Sequence, residues 1–196
     1  MEDIEDKARE RASAGPLSRR RFLSLGGAVL SLPFLSRLSA FASSEPFLPP
    51  DRGLSFYNIQ TGESATVEYC RSGCIISPSL EKIKYILRDH RTGETKDIDV
   101  RLLDLLNALS RKTSADVPFH VISGYRSPHT NASLRANSGG VAENSLHLLG
   151  QAIDIRLPGC KLEDLYRAAV GLRGGGVGIY PGSNFVHVDV GRVRTW

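Results

Sequence analysis

Two histidines and an aspartate have the types and spacing of metal ligands. His147 precedes Asp154 by seven residues, and His187 follows 33 residues later. Polar and apolar residues alternate over residues 151–155 and again over 184–190, which predicts two strands, each with its polar side chains on a single face. His147 is expected on the turn that enters the first strand, folded back toward Asp154. Two imidazoles and one carboxylate suit zinc, and three protein ligands leave a fourth position for water, as in a catalytic site.

The alternative is that these histidines are ordinary core or surface residues with hydrogen bonds, which is the more frequent role of an isolated histidine beside apolar residues. The residues alone leave both interpretations open. Three longer motifs favour the metal site, because they extend the pattern beyond the ligands themselves.

These motifs occupy residues 123–131, which begin Ser-Gly-Tyr-Arg, residues 145–154, and residues 176–189, which contain Gly-Val-Gly-Ile-Tyr and Phe-Val-His-Val-Asp. In this order and spacing they resemble the murein endopeptidase K family, which belongs to the zinc peptidases that include D-Ala-D-Ala metallopeptidases, lysostaphin and the hedgehog fold. The resemblance covers about residues 54–196. It implies a Zn²⁺ ion, with peptidoglycan peptide stems as the substrate.

The resemblance also implies a role for Arg126, which follows a predicted strand over residues 117–122. The matching arginine of the family lies near the zinc and helps to hold a substrate carboxylate or the developing oxyanion. A structural arginine that pins the loop through backbone hydrogen bonds is the alternative. The same motifs contain weaker candidates for substrate contacts: Tyr125, Asn131 and Ser145.

The general base is the least determined part of the predicted site. Related D-Ala-D-Ala peptidases carry Glu or His three residues before the last zinc ligand, where this chain has Asn184, which cannot accept a proton. Asp189 shares a predicted strand face with His187, so it is a candidate either for the base or for a partner that orients the imidazole. His129, on the loop that carries Arg126, is a further candidate for the base.

Residues 1–42 predict a twin-arginine signal peptide with a disordered beginning. Residues 1–14 are charged and lack apolar periodicity. Arg19 and Arg20 then precede an apolar run over residues 22–35, and Ala-Phe-Ala at 40–42 suits cleavage. Because the run is shorter than the roughly 20 residues that span a bilayer, cleavage and a periplasmic product are favoured over a membrane anchor, with some uncleaved, tethered protein as the alternative.

Charge and composition after this leader argue against a nucleic-acid partner. The leader holds seven of the 25 basic and five of the 21 acidic residues, which leaves 18 basic against 16 acidic residues in the rest of the chain. No basic stripe interleaved with aromatic residues is present, so membrane contact is expected only through the signal segment, in transit through the twin-arginine machinery. The proline-rich residues 43–53 predict a linker, so the zinc peptidase domain is expected over 54–196.

The three cysteines give no strong indication of chemistry. Cys70 and Cys74 flank a predicted tight hairpin, which favours a disulfide or two plain small residues over half of a zinc site, because no matching Cys or His pair follows. Cys160 follows a Pro-Gly turn without a neighbouring base, which argues against a catalytic nucleophile.

Three helices are expected to complete the domain, from Pro78 to before Arg91, over 99–112 and over 162–172, each with a stripe of apolar residues. The sequence therefore predicts an α+β domain of the hedgehog and D-Ala-D-Ala-peptidase type. Its small antiparallel sheet should carry the helices on one face and the site on the other.

The function expected from the resemblance is that of an exported zinc metallopeptidase that cleaves peptide cross-links in peptidoglycan. The bond could join D-Ala to diaminopimelate or two diaminopimelates. Two other classes are compatible with the residues: a noncatalytic cell-wall binding module, which the asparagine at position 184 favours, and a hydrolase or carboxypeptidase for small D-amino-acid peptides, which a short closed cleft would favour.

Overall fold

The computed structural model describes residues 48–114, 116–137 and 140–196, and the predicted signal peptide lies outside them. Its strands, in chain order, are β1 Arg52–Asn58, β2 Ser64–Arg71, β3 Cys74–Ile75, β4 Phe119–Ser123, β5 Ala152–Arg156, β6 Gly176–Tyr180, β7 Phe185–Asp189 and β8 Arg194–Thr195. Its helices are α1 Ser77–Ile86, α2 Val100–Thr113, α3 Pro128–Asn137 and α4 Leu162–Val170, with short 3₁₀ turns at Leu146–Leu149 and Pro181–Ser183. Within the described ranges, no helix is both long and apolar enough to cross a membrane.

The strands form one sheet in the order β3-β2-β1-β4-β5-β7-β6-β8. The α+β class is confirmed, but the sheet is larger than predicted and mixed, with parallel pairs β1/β4 and β6/β8. The first parallel pair exists because the chain crosses over through α1 and α2 before it returns beside β1. β1 starts at Arg52, inside the segment predicted as a linker.

Helices α1, α2 and α4 supply the helical part of the hydrophobic core on one face of the sheet. The helix predicted over 99–112 is observed as α2, which Asp99 caps by accepting a hydrogen bond from the N–H of Arg101 (3.0 Å). Its four fully buried leucines pack against the sheet: Leu102, Leu103, Leu106 and Leu109. The opposite face of β5 and β7 is therefore left free of core packing and available for polar groups.

Helix α3 was not predicted, because residues 128–137 lack an apolar stripe and add nothing to the hydrophobic core of the described chain. Local signals start it instead. Ser127 accepts a hydrogen bond from the N–H of Thr130 (3.2 Å), and Pro128 occupies the first helical position, where its missing N–H costs nothing.

The predicted β2-β3 hairpin is present, but its cysteines are free thiols. Cys70 pairs with Ile75 and Cys74 pairs with Arg71, so the two cysteines are one register step apart and their side chains point to opposite faces. Cys70 is buried and Cys74 is exposed. No disulfide joins them for this geometric reason.

Candidate metal centre

The three predicted ligands come from two paired strands and one turn. Strands β5 and β7 run antiparallel with Asp154 opposite His187, and both side chains lie on the face away from the core helices. His147 lies in the 3₁₀ turn that precedes β5, where Ser145 caps the turn by accepting the N–H of His147 (3.4 Å). His147 and Asp154 are buried, and the side chain of His187 is 12% exposed.

The three ligand atoms have the spacing that a zinc ion requires. His187 Nδ1 lies 2.8 Å from Asp154 Oδ1, while His147 Nε2 lies 3.3 Å from the same oxygen and 3.2 Å from His187 Nδ1. Tetrahedral zinc bonds of about 2.0–2.1 Å separate neighbouring ligand atoms by roughly 3.3 Å. The donor types and their separations therefore fit zinc.

Hydrogen bonds fix the tautomer of both imidazoles. His147 Nδ1 lies 2.7 Å from the carbonyl oxygen of Gly124, which can only accept, so Nδ1 carries the proton and Nε2 is free. His187 Nε2 lies 3.1 Å from Asp189 Oδ2 and donates to it, so Nδ1 is the nitrogen that can ligate a metal. His147 Nε2 and His187 Nδ1 consequently face Asp154, and the hydrogen bond on the far side of each ring orients it as is common for histidines that ligate a metal.

Asp189 is fully buried behind His187, and both of its oxygens are engaged. Oδ1 accepts the N–H groups of Gly176 (2.9 Å) and Gly191 (2.8 Å), and Oδ2 accepts from His187 and from Arg194 Nη2 (2.7 Å). Burial alone would raise the pKa of Asp189, but these hydrogen bonds outweigh it and hold the pKa well below its usual range. The geometry favours an orienting partner of His187 over a general base.

The electrostatics of the group suit a cation. Burial would raise the pKa of Asp154, but contacts with His147 and His187 keep it well below its usual range, so the carboxylate is ionised. Burial would lower the pKa of His187, but hydrogen bonds to Asp154 and Asp189 raise it to about 8, so Nδ1 also carries a proton at neutral pH when no cation is bound there. The centre therefore holds a carboxylate charge and imidazoles that attract positive charge.

Arg126 borders the same cavity and is 8% exposed. Its Nη2 donates to Asp154 Oδ2 (3.3 Å) and Ser123 Oγ (3.4 Å), and its backbone N–H donates to the carbonyl of His147 (3.2 Å). Burial lowers the pKa of Arg126, opposed by the charge of Asp154. Its buried Nε has no hydrogen-bond partner among the described residues.

The loop that carries Arg126 is anchored to the end of α1. Tyr125 donates its N–H to the carbonyl of Leu87 (2.8 Å), and an added Cβ at Gly124 would lie 2.5 Å from that same oxygen, so this close approach requires glycine. Asp89 is 2% exposed and accepts the N–H of Ser127 (2.8 Å). Sequence reasoning missed Asp89, whose only signal is its place before the Arg-Thr-Gly turn.

Three other predicted site residues occupy different positions. Tyr125 is buried beside the loop anchor and does not border the cavity. Asn131 donates to the carbonyls of Ala142 (3.1 Å) and Glu143 (3.3 Å), so it holds the loop that forms one cavity wall. His129, predicted to approach the metal, is instead exposed on α3 outside the cavity lining, because the helix turns the neighbouring Asn131 inward and His129 outward.

The cavity over the candidate metal centre has a volume of about 290 Å³ and an aromatic wall that sequence reasoning missed. Tyr180 and Phe185 stack with ring centroids 4.6 Å apart, and Trp196 Nε1 donates to the hydroxyl of Tyr180 (2.7 Å). The Trp196 ring lies 5.3 Å from that of His187. Phe185 shares the alternation of His187 and was therefore detectable, whereas the two-residue strand before Trp196 left no pattern.

Similarity to known proteins covers the described domain. The chain matches the family model described as peptidoglycan L,D-endopeptidase MepK over residues 48–196. It is 42% identical over 179 residues to the peptidoglycan L,D-endopeptidase MepK of Escherichia coli strain K12, which covers 91% of this chain and 97% of the relative. It is 41% identical over 181 residues to the probable peptidoglycan L,D-endopeptidase MepK of Haemophilus influenzae, covering 91% of this chain and 95% of the relative.

Proposed function

Because the chain belongs to the peptidoglycan L,D-endopeptidase MepK family, we propose that it is an exported zinc-dependent endopeptidase that hydrolyses peptide cross-links in peptidoglycan. One observation carries the proposal: His147 Nε2, Asp154 Oδ1 and His187 Nδ1 converge at 2.8–3.3 Å from one another in the floor of a cavity. Three protein ligands that leave a fourth position open are the arrangement of catalytic zinc.

A zinc ion at this centre would supply Lewis acidity, which polarises a carbonyl group and lowers the pKa of water. The chain's own residues support that chemistry in three ways. Gly124 and Asp189 hold the two imidazoles in the ligating tautomer. Arg126 lines the cavity and brings a positive charge that would stabilise negative charge developing on a carbonyl oxygen. Burial of the centre strengthens each of these interactions.

The family description favours one of the two bonds that the sequence left open. A bond between two diaminopimelates joins an L-centre to a D-centre, whereas a bond from D-Ala to diaminopimelate joins two D-centres. The name L,D-endopeptidase of the relatives therefore supports the diaminopimelate cross-link as the substrate of this chain.

Mass analysis of muropeptides released from purified sacculi tests the proposal. The zinc-loaded protein should convert diaminopimelate cross-linked dimers to monomers, a chelator should stop the reaction, and added zinc should restore it. The His187→Ala variant should be inactive, whereas Arg111→Gln, on the exposed surface of α2, should match wild type. Absence of monomers from zinc-replete wild type would reject the enzyme assignment.

A noncatalytic binding module is the second candidate, because no separate base borders the described cavity. The carboxylates and imidazoles in its lining are the three ligand residues and Asp189. Asn184 lies in the turn before β7 with φ of 52° and lines a neighbouring cavity instead. A binding module would co-sediment with sacculi but release no peptide from them, so the same samples distinguish the two functions.

Export through the twin-arginine machinery to the periplasm is part of the proposal and rests on Arg19 and Arg20, outside the described residues. Replacing both by lysine keeps the charge but removes the arginine pair that this machinery recognises. Precursor should then accumulate in the cytoplasm. Unimpaired secretion of that variant would favour the general secretory route.

A further inference from the structure

A second row of side chains crosses the site face of the sheet beside the metal ligands. Asp154 pairs with His187, so Arg156, two residues further along β5, lies beside Phe185, two residues back along β7. Two residues of a strand span about 7 Å and return the side chain to the same face. Arg156 therefore lies one pleat from the metal centre, next to the aromatic wall of its cavity.

The register extends this row over five strands. On β4, His120 pairs with Arg156, and His120 in turn lies beside Tyr57 on β1, with ring centroids 4.9 Å apart. On the other side, Phe185 pairs with Tyr180 on β6. All of these side chains are intermediate in burial, which places them at the surface of the site face rather than in the core.

Arg156 differs from the other arginines of this face because its guanidinium has no partner. Arg126 binds Asp154 and Arg194 binds Asp189, whereas the side chain of Arg156 forms no hydrogen bond or ion pair with any described residue. A guanidinium presents five N–H donors in a planar fork that matches the two oxygens of a carboxylate. Arg156 is thus free to bind an anionic group from outside the chain.

Arg156 lines a cavity of about 350 Å³. This cavity lies at the end of β5 and is lined by His120, Arg156, residues 157–160, Leu162 and Leu165 of α4, and Asn184. Asn184 of this lining directly precedes Phe185, which lines the cavity over the candidate metal centre. Burial and the charge of Arg156 lower the pKa of His120, so this imidazole is neutral at neutral pH and adds an N–H beside the charged group.

We propose that Arg156 and His120 form a carboxylate-binding subsite that holds an acidic group of the substrate's stem peptide while the cross-link lies over the metal centre. The subsite rests on the proposed function. An extended peptide advances about 3.3–3.6 Å per residue, so a group near Arg156 belongs to a residue about two positions from the scissile bond. Stem peptides carry free carboxylates on glutamate and diaminopimelate, which supplies the matching charge.

The decisive measurement compares two enzymes on two substrates. The substrates are a diaminopimelate cross-linked muropeptide with free carboxylates and the same compound with those groups amidated. Replacing one partner of a charge-assisted hydrogen bond typically costs about 10- to 100-fold. Arg156→Gln should therefore lower kcat/KM on the acidic substrate by that factor and change it less than about twofold on the amidated one. Arg111→Gln, which removes an exposed charge from the helical layer, should leave both values unchanged.

Equal losses on the two substrates, or no loss on either, would overturn the subsite. Equilibrium binding of the monomeric tripeptide L-Ala-D-Glu-diaminopimelate keeps this result separate from the enzyme assignment. If wild type binds the tripeptide at least tenfold more tightly than Arg156→Gln does, the subsite stands even where wild type releases no peptide from sacculi. If the two proteins bind it equally, the subsite is rejected whatever the catalytic result.

Discussion

The two faces of strands β5 and β7 consist of alternate residues of the same segments, but different interactions stabilise them. Toward the helices the strands present four aliphatic side chains, all without solvent exposure: Ile153, Ile155, Val186 and Val188. On the other face they present Asp154, His187 and Asp189, each held by hydrogen bonds between side chains. Because successive side chains of a strand point to opposite faces, one segment can carry the candidate metal site on one face and core residues on the other.

Because different interactions stabilise the two faces, they differ in the substitutions that they tolerate. Dispersion and hydrophobic burial are non-directional, so the helix face depends mainly on volume. Hydrogen bonds to buried charges are directional, and a group left without its partner bears the full desolvation cost. Substitutions on the helix face should therefore alter stability, whereas substitutions on the site face should alter metal binding and reaction rate.

The largest effect is expected from the ligand imidazoles. Purified protein should contain about one zinc ion per chain, and His147→Ala or His187→Ala should nearly empty the centre and lower turnover by more than about 10³-fold. Atomic emission measures the metal, and circular dichroism verifies the fold. Unchanged zinc content in both variants would show that the ligands are misassigned.

A substitution on the helix face, next in sequence to the ligand Asp154, removes volume from the hydrophobic core. Ile153→Ala should lower the free energy of unfolding by about 2–5 kcal/mol, because it leaves a cavity in a fully buried core. Zinc content per folded chain should stay near that of wild type. Chemical denaturation and metal analysis of the same sample test the contrast, which fails if Ile153→Ala loses zinc while it remains folded.

Asp189→Asn separates the two roles that are open for Asp189 on the site face, an orienting partner of His187 and a general base. If Asp189 orients His187, the variant should bind zinc about 10- to 100-fold more weakly and keep much of its turnover at saturating zinc. A general base would instead show retained zinc and a turnover loss on the order of 10²- to 10⁴-fold. The bonded oxygens of Asp189 favour the first result, and wild-type values for both quantities would exclude both roles.

The smallest effect is expected at Asp89, which holds the loop that carries Arg126 by accepting the N–H of Ser127. Burial would raise the pKa of Asp89, but the hydrogen bonds it accepts hold the pKa well below its usual range. A carboxyl whose folded pKa is depressed contributes stability above its unfolded pKa of roughly 4 and loses it as the pH falls. Asp89→Asn should therefore cost roughly 1–2 kcal/mol at pH 7 and less below pH 4. A loss independent of pH would contradict this origin.

The α+β class, most of the helices and the family resemblance could be predicted from the sequence, because these depend on local periods and ordered motifs. Helix α2 shows why: its leucine stripe and the capping Asp99 are both local signals. Alternation also predicted that Asp154 and His187 would face one side of their strands, which the register of β5 with β7 brings opposite each other.

Strand register, crossover connections and the direction in which helical side chains point are set by contacts between distant parts of the chain. Local pattern cannot show that β4 returns parallel to β1, and that crossover sets Tyr57, His120 and Arg156 in one row. Nor does an apolar stripe reveal α3, which begins through the cap at Ser127 and turns His129 to solvent. Partners that are distant in sequence, such as Arg194 behind Asp189, meet only when strands pair, because the chain carries no local signal for its long-range contacts.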